Sequence, residues 1–143
     1  MSAGHDDAAG SGAAALLEPA RRAEKEQALL YRGLAARAES DGKPDLAQRF
    51  HDLHADEQHH LSRLTARVLE LGERPVDLSG VRPVLSSLDE WRQTIRECEA
   101  AEIERYRTLL RRDLDPATRG LLEEILSTEE HHADELGGKW TMA

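Results

Sequence analysis

An all-α fold, a four-helix bundle with a long crossover between its second and third helices, is predicted by three observations. The 143-residue chain is 33% charged and 39% hydrophobic but only 3% aromatic. It is rich in Ala, Leu, Glu and Arg, the composition of long helices rather than sheets. Four stretches place apolar residues at alternating steps of three and four, the spacing of one helix face. Between the second and third stretch, residues 73–86 carry Pro75, Gly80 and Pro83 and lose that period.

Residues 1–14 are small and polar and read as a disordered tail ahead of the bundle at 15–138, with a short tail at 139–143. The first helix is expected from about Ala15 to Ser40, with Pro19 near its start. Its inward stripe is Ala20, Glu24, Gln27, Tyr31, Leu34 and Ala38. Asp41-Gly-Lys-Pro44 is a turn. The second helix follows from Asp45 to Leu71, ended by Gly72, with Leu46, Phe50, Leu53, Glu57, His60, Leu61, Leu64, Val68 and Leu71 inward.

Extended, the 14 residues of the crossover span roughly 46 Å, enough to run along a 25-residue helix of about 38 Å. The third helix is expected from Ser87 to Asp113, with Leu88, Ile95, Glu99, Glu102, Tyr106 and Leu109 inward. Asp115-Pro116 reads as a cap followed by proline at the first helical position. The fourth helix carries Leu122, Ile125, Glu129, His132 and Leu136 to Gly137-Gly138.

Charge and cysteine content narrow the function. A formal net charge of −9 argues against nucleic-acid or anionic-membrane partners, which need clustered Lys and Arg, and suits a protein that handles cations. No run approaches the ~18 apolar residues of a membrane span, and no signal pattern opens the chain. With Cys98 as the only cysteine, neither an internal disulfide nor a Cys₄ metal centre can form, and a reducing cytoplasm is the expected compartment.

The chemistry lies in a doubled pattern. Glu57 and His60, and again Glu129 and His132, stand three residues apart, so each carboxylate and imidazole share one helix face and can hold one metal ion. One Glu-x-x-His is a chance event in so Glu-rich a chain; two in register are not. Glu24 precedes Glu57 by 33 residues and Glu99 precedes Glu129 by 30, and each is followed seven residues later by a tyrosine, Tyr31 and Tyr106. The alternative register of Asp56 with His59 has no counterpart, because the second half offers Thr128 with His131. An unpaired carboxylate in an apolar stripe is costly without a cation. Glu102 is a further inward carboxylate and a further ligand candidate.

In these residues the chain resembles the di-iron carboxylate proteins of the ferritin-like superfamily, rubrerythrins and bacterioferritins in particular, over residues 15–138. The resemblance implies Glu24 and Glu99 as terminal ligands, Glu57 and Glu129 as bridges between two metals, and His60 and His132 as one imidazole for each. It implies two iron ions, with manganese the alternative, acting on peroxide or O₂. The activity expected is peroxide or O₂ reduction by an external electron donor. Ferroxidase activity with iron storage is the alternative, and a non-catalytic metal-binding or interaction bundle the third reading.

Asp56 occupies the place where bacterioferritin-like proteins put an aspartate that holds the opposite histidine, here His132; Thr128 stands at the equivalent place in the second half. Rubrerythrins of the standard type add a rubredoxin with four cysteines, which this chain lacks. Haem through a bundle methionine is excluded, since the methionines are Met1 and Met142. His51, His54, His59 and His131 are expected to be solvated or flanking, and Cys98 an inert small thiol. Trp91 and Trp140 read as packing or interface residues. With Leu29 and Leu30 beside Gly33, Trp91 suggests a homodimer face.

Overall fold

A computed structural model describes residues 2–138, with side chains described for 12–136. Four helices make up its regular structure: α1 (Ser2–Ser40), α2 (Pro44–Glu70), α3 (Trp91–Leu110) and α4 (Pro116–Gly138). α1 packs chiefly on α2 and α3 on α4, and the two pairs meet through α1 with α3 and α2 with α4. Among the described residues no helix is long and apolar enough to cross a membrane.

The helix ends explain the connections. α1 closes at Gly42, whose φ of 71° only glycine adopts freely, while the Lys43 N–H reaches back to the Ala38 carbonyl at 2.8 Å. The same device ends α2: Gly72 takes φ 84°, and the Glu73 N–H donates to the Val68 carbonyl at 3.2 Å. α4 starts as the sequence predicts. The Asp115 carboxylate accepts the Thr118 backbone N–H at 3.0 Å and Pro116 fills the first helical position.

Two boundaries differ from expectation. α1 begins at Ser2 rather than Ala15, and Pro19 lies inside it; Ala13, Ala14, Ala15, Leu16 and Leu17, strong helix formers, carry the helix up to the proline. α3 is shorter at both ends than 87–113. Glu90 N–H bonds to the Ser87 carbonyl in a turn before Trp91. At the other end Arg111 and Arg112 close the helix with three-residue bonds, and the Arg119 guanidinium takes the Leu110 and Arg112 carbonyls. The tail expected at 139–143, with Trp140, lies outside the described residues.

The crossover, residues 71–90, is fastened to the bundle by Arg21. Its guanidinium is almost wholly buried, donates to Thr65 Oγ1 at 3.1 Å and to the Val76 carbonyl at 3.2 Å, and pairs with Glu18. Glu18 in turn accepts the Val76 N–H at 3.2 Å.

The core is in two parts. One apolar cluster gathers Leu34, Phe50, Trp91 and Ile95 among others; a second gathers Leu17, Leu64, Val68, Leu122 and Ile125. Trp91 packs edge-on against Phe50 with ring centroids 5.1 Å apart. Of the two roles expected for Trp91, packing is the one seen within the chain, and Leu30, expected at the surface, is buried. Trp91 and Leu30 belong to the chain's own core, Leu30 in the cluster that crossover residues Val84 and Leu88 pack against, and only Leu29 stays half-buried beside the crossover. Glu24, Glu57, Glu99 and Glu129 belong to neither cluster, and each is at most 1% exposed.

Candidate metal centre

Each helix delivers its share of the polar layer from the position its stripe predicts. Glu24, Glu57, Glu99 and Glu129 come from α1 to α4 in turn, while His60 and His132 follow their glutamates by one helical turn. All six are buried, and their ligand-capable atoms fall into two overlapping groups. Glu24, Glu57, His60 and Glu129 form one, and Glu57, Glu99, Glu129 and His132 the other, with the atoms of each within 4.8 Å of one another. Glu57 and Glu129 belong to both. Two neighbouring cation positions sharing two carboxylates would fit this geometry.

Burial leaves these groups short of partners. Both oxygens of Glu57 and of Glu129, Oε2 of Glu24 and of Glu99, and Nδ1 of His60 and of His132 are inaccessible to solvent and hydrogen-bonded to nothing in the protein. Native interiors rarely strand so many acceptors in one place. Two divalent cations would satisfy them and cancel the formal charge of the four carboxylates. Carboxylate and imidazole donors suit iron or manganese. The residues present therefore fit a two-metal centre.

The electrostatics reflect that crowding. Burial, then repulsion from Glu24 and Glu129, holds the Glu57 carboxyl well above its usual range. Burial and the neighbouring Glu129 push Glu99 up to about 10, against the opposing pull of His132 and Tyr31. Burial also acts to raise Glu24, but its contacts with Glu57, His60 and Tyr106 outweigh it and leave that carboxyl lowered. The His60 imidazole would be depressed by burial; the Glu129 and Glu24 carboxylates, 3.1 and 3.5 Å from Nδ1, lift it to about 10 instead. Protonated, His60 acts as an internal counter-ion for the carboxylates.

The supporting residues tie the two halves together. Tyr31 of the first half donates to Glu99 of the second at 2.8 Å, and Tyr106 of the second donates to Glu24 of the first at 2.7 Å. Gln27 Nε2 donates to the Tyr31 hydroxyl at 3.1 Å. The doubled spacing of seven was the sequence signal for these tyrosines, but it did not reveal that each serves the opposite half. Asp56 stands where the sequence places it, with Oδ2 2.8 Å from His132 Nε2, which turns Nδ1 toward the centre.

Glu102 is set apart. It is 2% exposed and belongs to neither ligand group; Oε1 accepts from Arg105 Nε at 3.2 Å while Oε2 has no partner. Burial and the Glu24 charge raise its carboxyl to about 8, with Arg105 pulling the other way. Arg105 was not singled out in the sequence, although its spacing of three from Glu102 is a helix pairing distance. Of the other histidines with described side chains, His51 pairs with Glu39, His131 with Glu135, His59 is exposed and His54 half-buried.

Comparison with known proteins bears on the family and the fold. The family model of the ferritin-like domain matches residues 14–139. No curated protein matches the chain. Among solved structures, the bacterioferritin of Desulfovibrio desulfuricans, whose X-ray structures describe a diiron site in different catalytic states, superposes with a TM-score of 0.85. It shares 21% sequence identity, over 94% of this chain and 81% of that one. At that identity the likeness is one of fold.

Proposed function

The chain belongs to the ferritin-like domain family, and from that premise we propose that it is a di-iron oxidoreductase whose principal activity is the oxidation of Fe(II). The observation that carries this reading is the pair of overlapping ligand groups sharing Glu57 and Glu129, with eight buried donor atoms that make no hydrogen bond within the protein. Glu24 and His60 would complete one iron position and Glu99 and His132 the other. Iron held there supplies one-electron redox chemistry at each position. Two Fe(II) ions lose one electron each, and O₂ with two protons takes both to give H₂O₂; with H₂O₂ as acceptor, two further protons give two waters.

The protein's part is to bind, orient and shield. Tyr106 and Tyr31 fix the outer carboxylates, leaving Oε2 of Glu24 and of Glu99 free. Asp56 holds His132 with Nδ1 inward, and the two apolar clusters keep bulk water from the layer. A second reading, peroxide reduction with iron retained and an external donor returning the electrons, is favoured by Glu102, a buried carboxylate beyond the four that belong to the ligand groups.

Aerobic addition of Fe(II) to the metal-free protein separates these readings. Ferroxidase activity requires oxidation to continue well past two equivalents per chain with ferric product leaving the site. Oxidation that stops at two equivalents, and runs faster with H₂O₂ than with O₂, supports the peroxidase reading. A protein that neither accelerates oxidation nor develops a ferric absorption band is a passive binder, and the proposal fails.

A further inference from the structure

The two cation positions have the same primary donors, two shared glutamates plus one further glutamate and one histidine each, but not the same support. Asp56 and Thr128 occupy equivalent places, each one residue before a shared glutamate. Asp56 reaches across to the opposite half and accepts from His132 Nε2 at 2.8 Å. Its carboxylate fixes the neutral tautomer with the lone pair on Nδ1 and makes that nitrogen a better donor to a cation. Thr128 offers no such charge to His60. Its hydroxyl turns back on its own helix and donates to the Glu124 carbonyl at 3.3 Å.

We infer that the two positions fill unequally. The ion held by Glu57, Glu99, Glu129 and His132 binds first and more tightly, because Asp56 positions His132 while Thr128 leaves His60 without a matching carboxylate. The inference rests on the two-metal reading above and adds to it an order of filling. Loss of such a supporting carboxylate typically lowers metal affinity about 10- to 100-fold, which sets the size of the inequality.

Two features bear on its direction. Glu102 lies near Glu24, and its charge would favour a cation in the His60 position. Arg105 sits on that carboxylate at 3.2 Å and offsets it, and Glu102 lies outside both ligand groups, so it does not reverse the order. Asp56 is half-exposed, which weakens its charge, but the imidazole it holds is 96% buried and the bond persists. Asp56 and His132 also line a groove of about 680 Å³ between α2 and α4, shared with Asp52, His131 and Glu135, so the position assigned to fill first is the one that borders this opening.

The test is an anaerobic calorimetric titration of the full metal-free chain with Mn(II), which binds without being oxidised. Two binding steps separated by about 10- to 100-fold are expected. Asp56→Asn keeps the shape of the side chain and should weaken the tighter step by a similar factor while moving the weaker one less than about twofold. His132→Ala should remove the tighter step and His60→Ala the weaker, and Thr128→Asp should narrow the gap from the other side. Two ions of indistinguishable affinity in the wild type, or an Asp56→Asn variant with both steps unchanged, would overturn the inequality while leaving the two-metal reading intact. A folded wild type that binds no ion would overturn both.

Discussion

The first two helices and the last two carry one design, Glu then Tyr at +7 then Glu-x-x-His, yet they part company at the residue three after the first glutamate. In α1 this is Gln27, a neutral amide that donates to Tyr31. In α3 it is Glu102, a carboxylate that needs Arg105 on one oxygen and has nothing on the other. The candidate metal-binding residues come in matched sets, so what differs between halves would tune the proposed centre rather than create it. The repeat explains why there is a site; the departures from it explain why the two sides of that site need not behave alike.

The matched part yields the largest expected effect. Glu57 and Glu129 each belong to both ligand groups, whereas Glu24 and Glu99 belong to one apiece. Glu57→Ala or Glu129→Ala should therefore lose both ions, with apparent affinity falling more than about 100-fold for each. Glu24→Ala or Glu99→Ala should lose one and keep the other. Metal titration reads this directly, and a Glu57→Ala chain that still takes two ions at full affinity breaks the assignment of shared ligands.

Next in size is the behaviour of the metal-free protein with pH. Glu57, Glu99 and Glu102 all hold a proton more tightly when folded than their ordinary value of 4.5, Glu99 to about 10 and Glu102 to about 8. The folded chain binds more protons than the unfolded chain across that window, so stability is greatest near pH 4.5 and is lost as the pH rises toward 8 and beyond. His60, raised from 6.5 to about 10, acts in the same direction over its own window. Glu24, lowered, opposes them only below about 4.5. The metal-free melting temperature at pH 5.5 should exceed that at pH 8 by on the order of 10 °C, and saturating Mn(II) at pH 8 should restore the difference. Equal melting temperatures at both pH values, unmoved by metal, would contradict a buried acidic layer.

Much of this was legible in the chain, and for an identifiable reason. Helix faces repeat with a fixed period, so Glu24, Glu57, Glu99 and Glu129 could be placed inward from spacing alone, and all are buried. The role of Asp56 was legible only through the resemblance to bacterioferritin-like proteins, which place an aspartate directly before this glutamate. What spacing cannot encode is which residues meet across helices. The pairing of Tyr31 with Glu99 and of Tyr106 with Glu24 links positions 68 and 82 residues apart and depends on how the two hairpins face each other. Spacing alone leaves Trp91 open between packing and interface for the same reason: it opens α3 and finds Phe50 of α2, a contact without sequence periodicity.

Making the halves alike at the Gln27 and Glu102 positions sharpens the comparison. Glu102→Gln removes the one buried acid, among the described residues, beyond the four that belong to the ligand groups, so the metal-free variant should melt about 5 °C above the wild type at pH 8 and level with it at pH 5, where Glu102 is already protonated. Arg105→Ala should cost stability in the wild type and much less in Glu102→Gln, since in the variant its partner's charge is gone. Equal costs in the two backgrounds would show that Arg105 does not act through Glu102.

The smallest expected effect tests the crossing of the halves. Tyr31→Phe and Tyr106→Phe each remove one hydroxyl and leave the ring packed; each should cost about 1 kcal/mol, a melting shift of about 4 °C. Metal affinity distinguishes a crossed arrangement from a local one. If Tyr31 serves Glu99, then Tyr31→Phe should weaken the ion in the His132 position by up to about tenfold and spare the other, because the freed Glu99 oxygen loses its orientation. Tyr106→Phe should weaken the ion in the His60 position, through Glu24. Were the tyrosines to act within their own halves, the two variants would show the opposite pattern, and calorimetry on the His60→Ala and His132→Ala backgrounds, each retaining a single position, would reveal it.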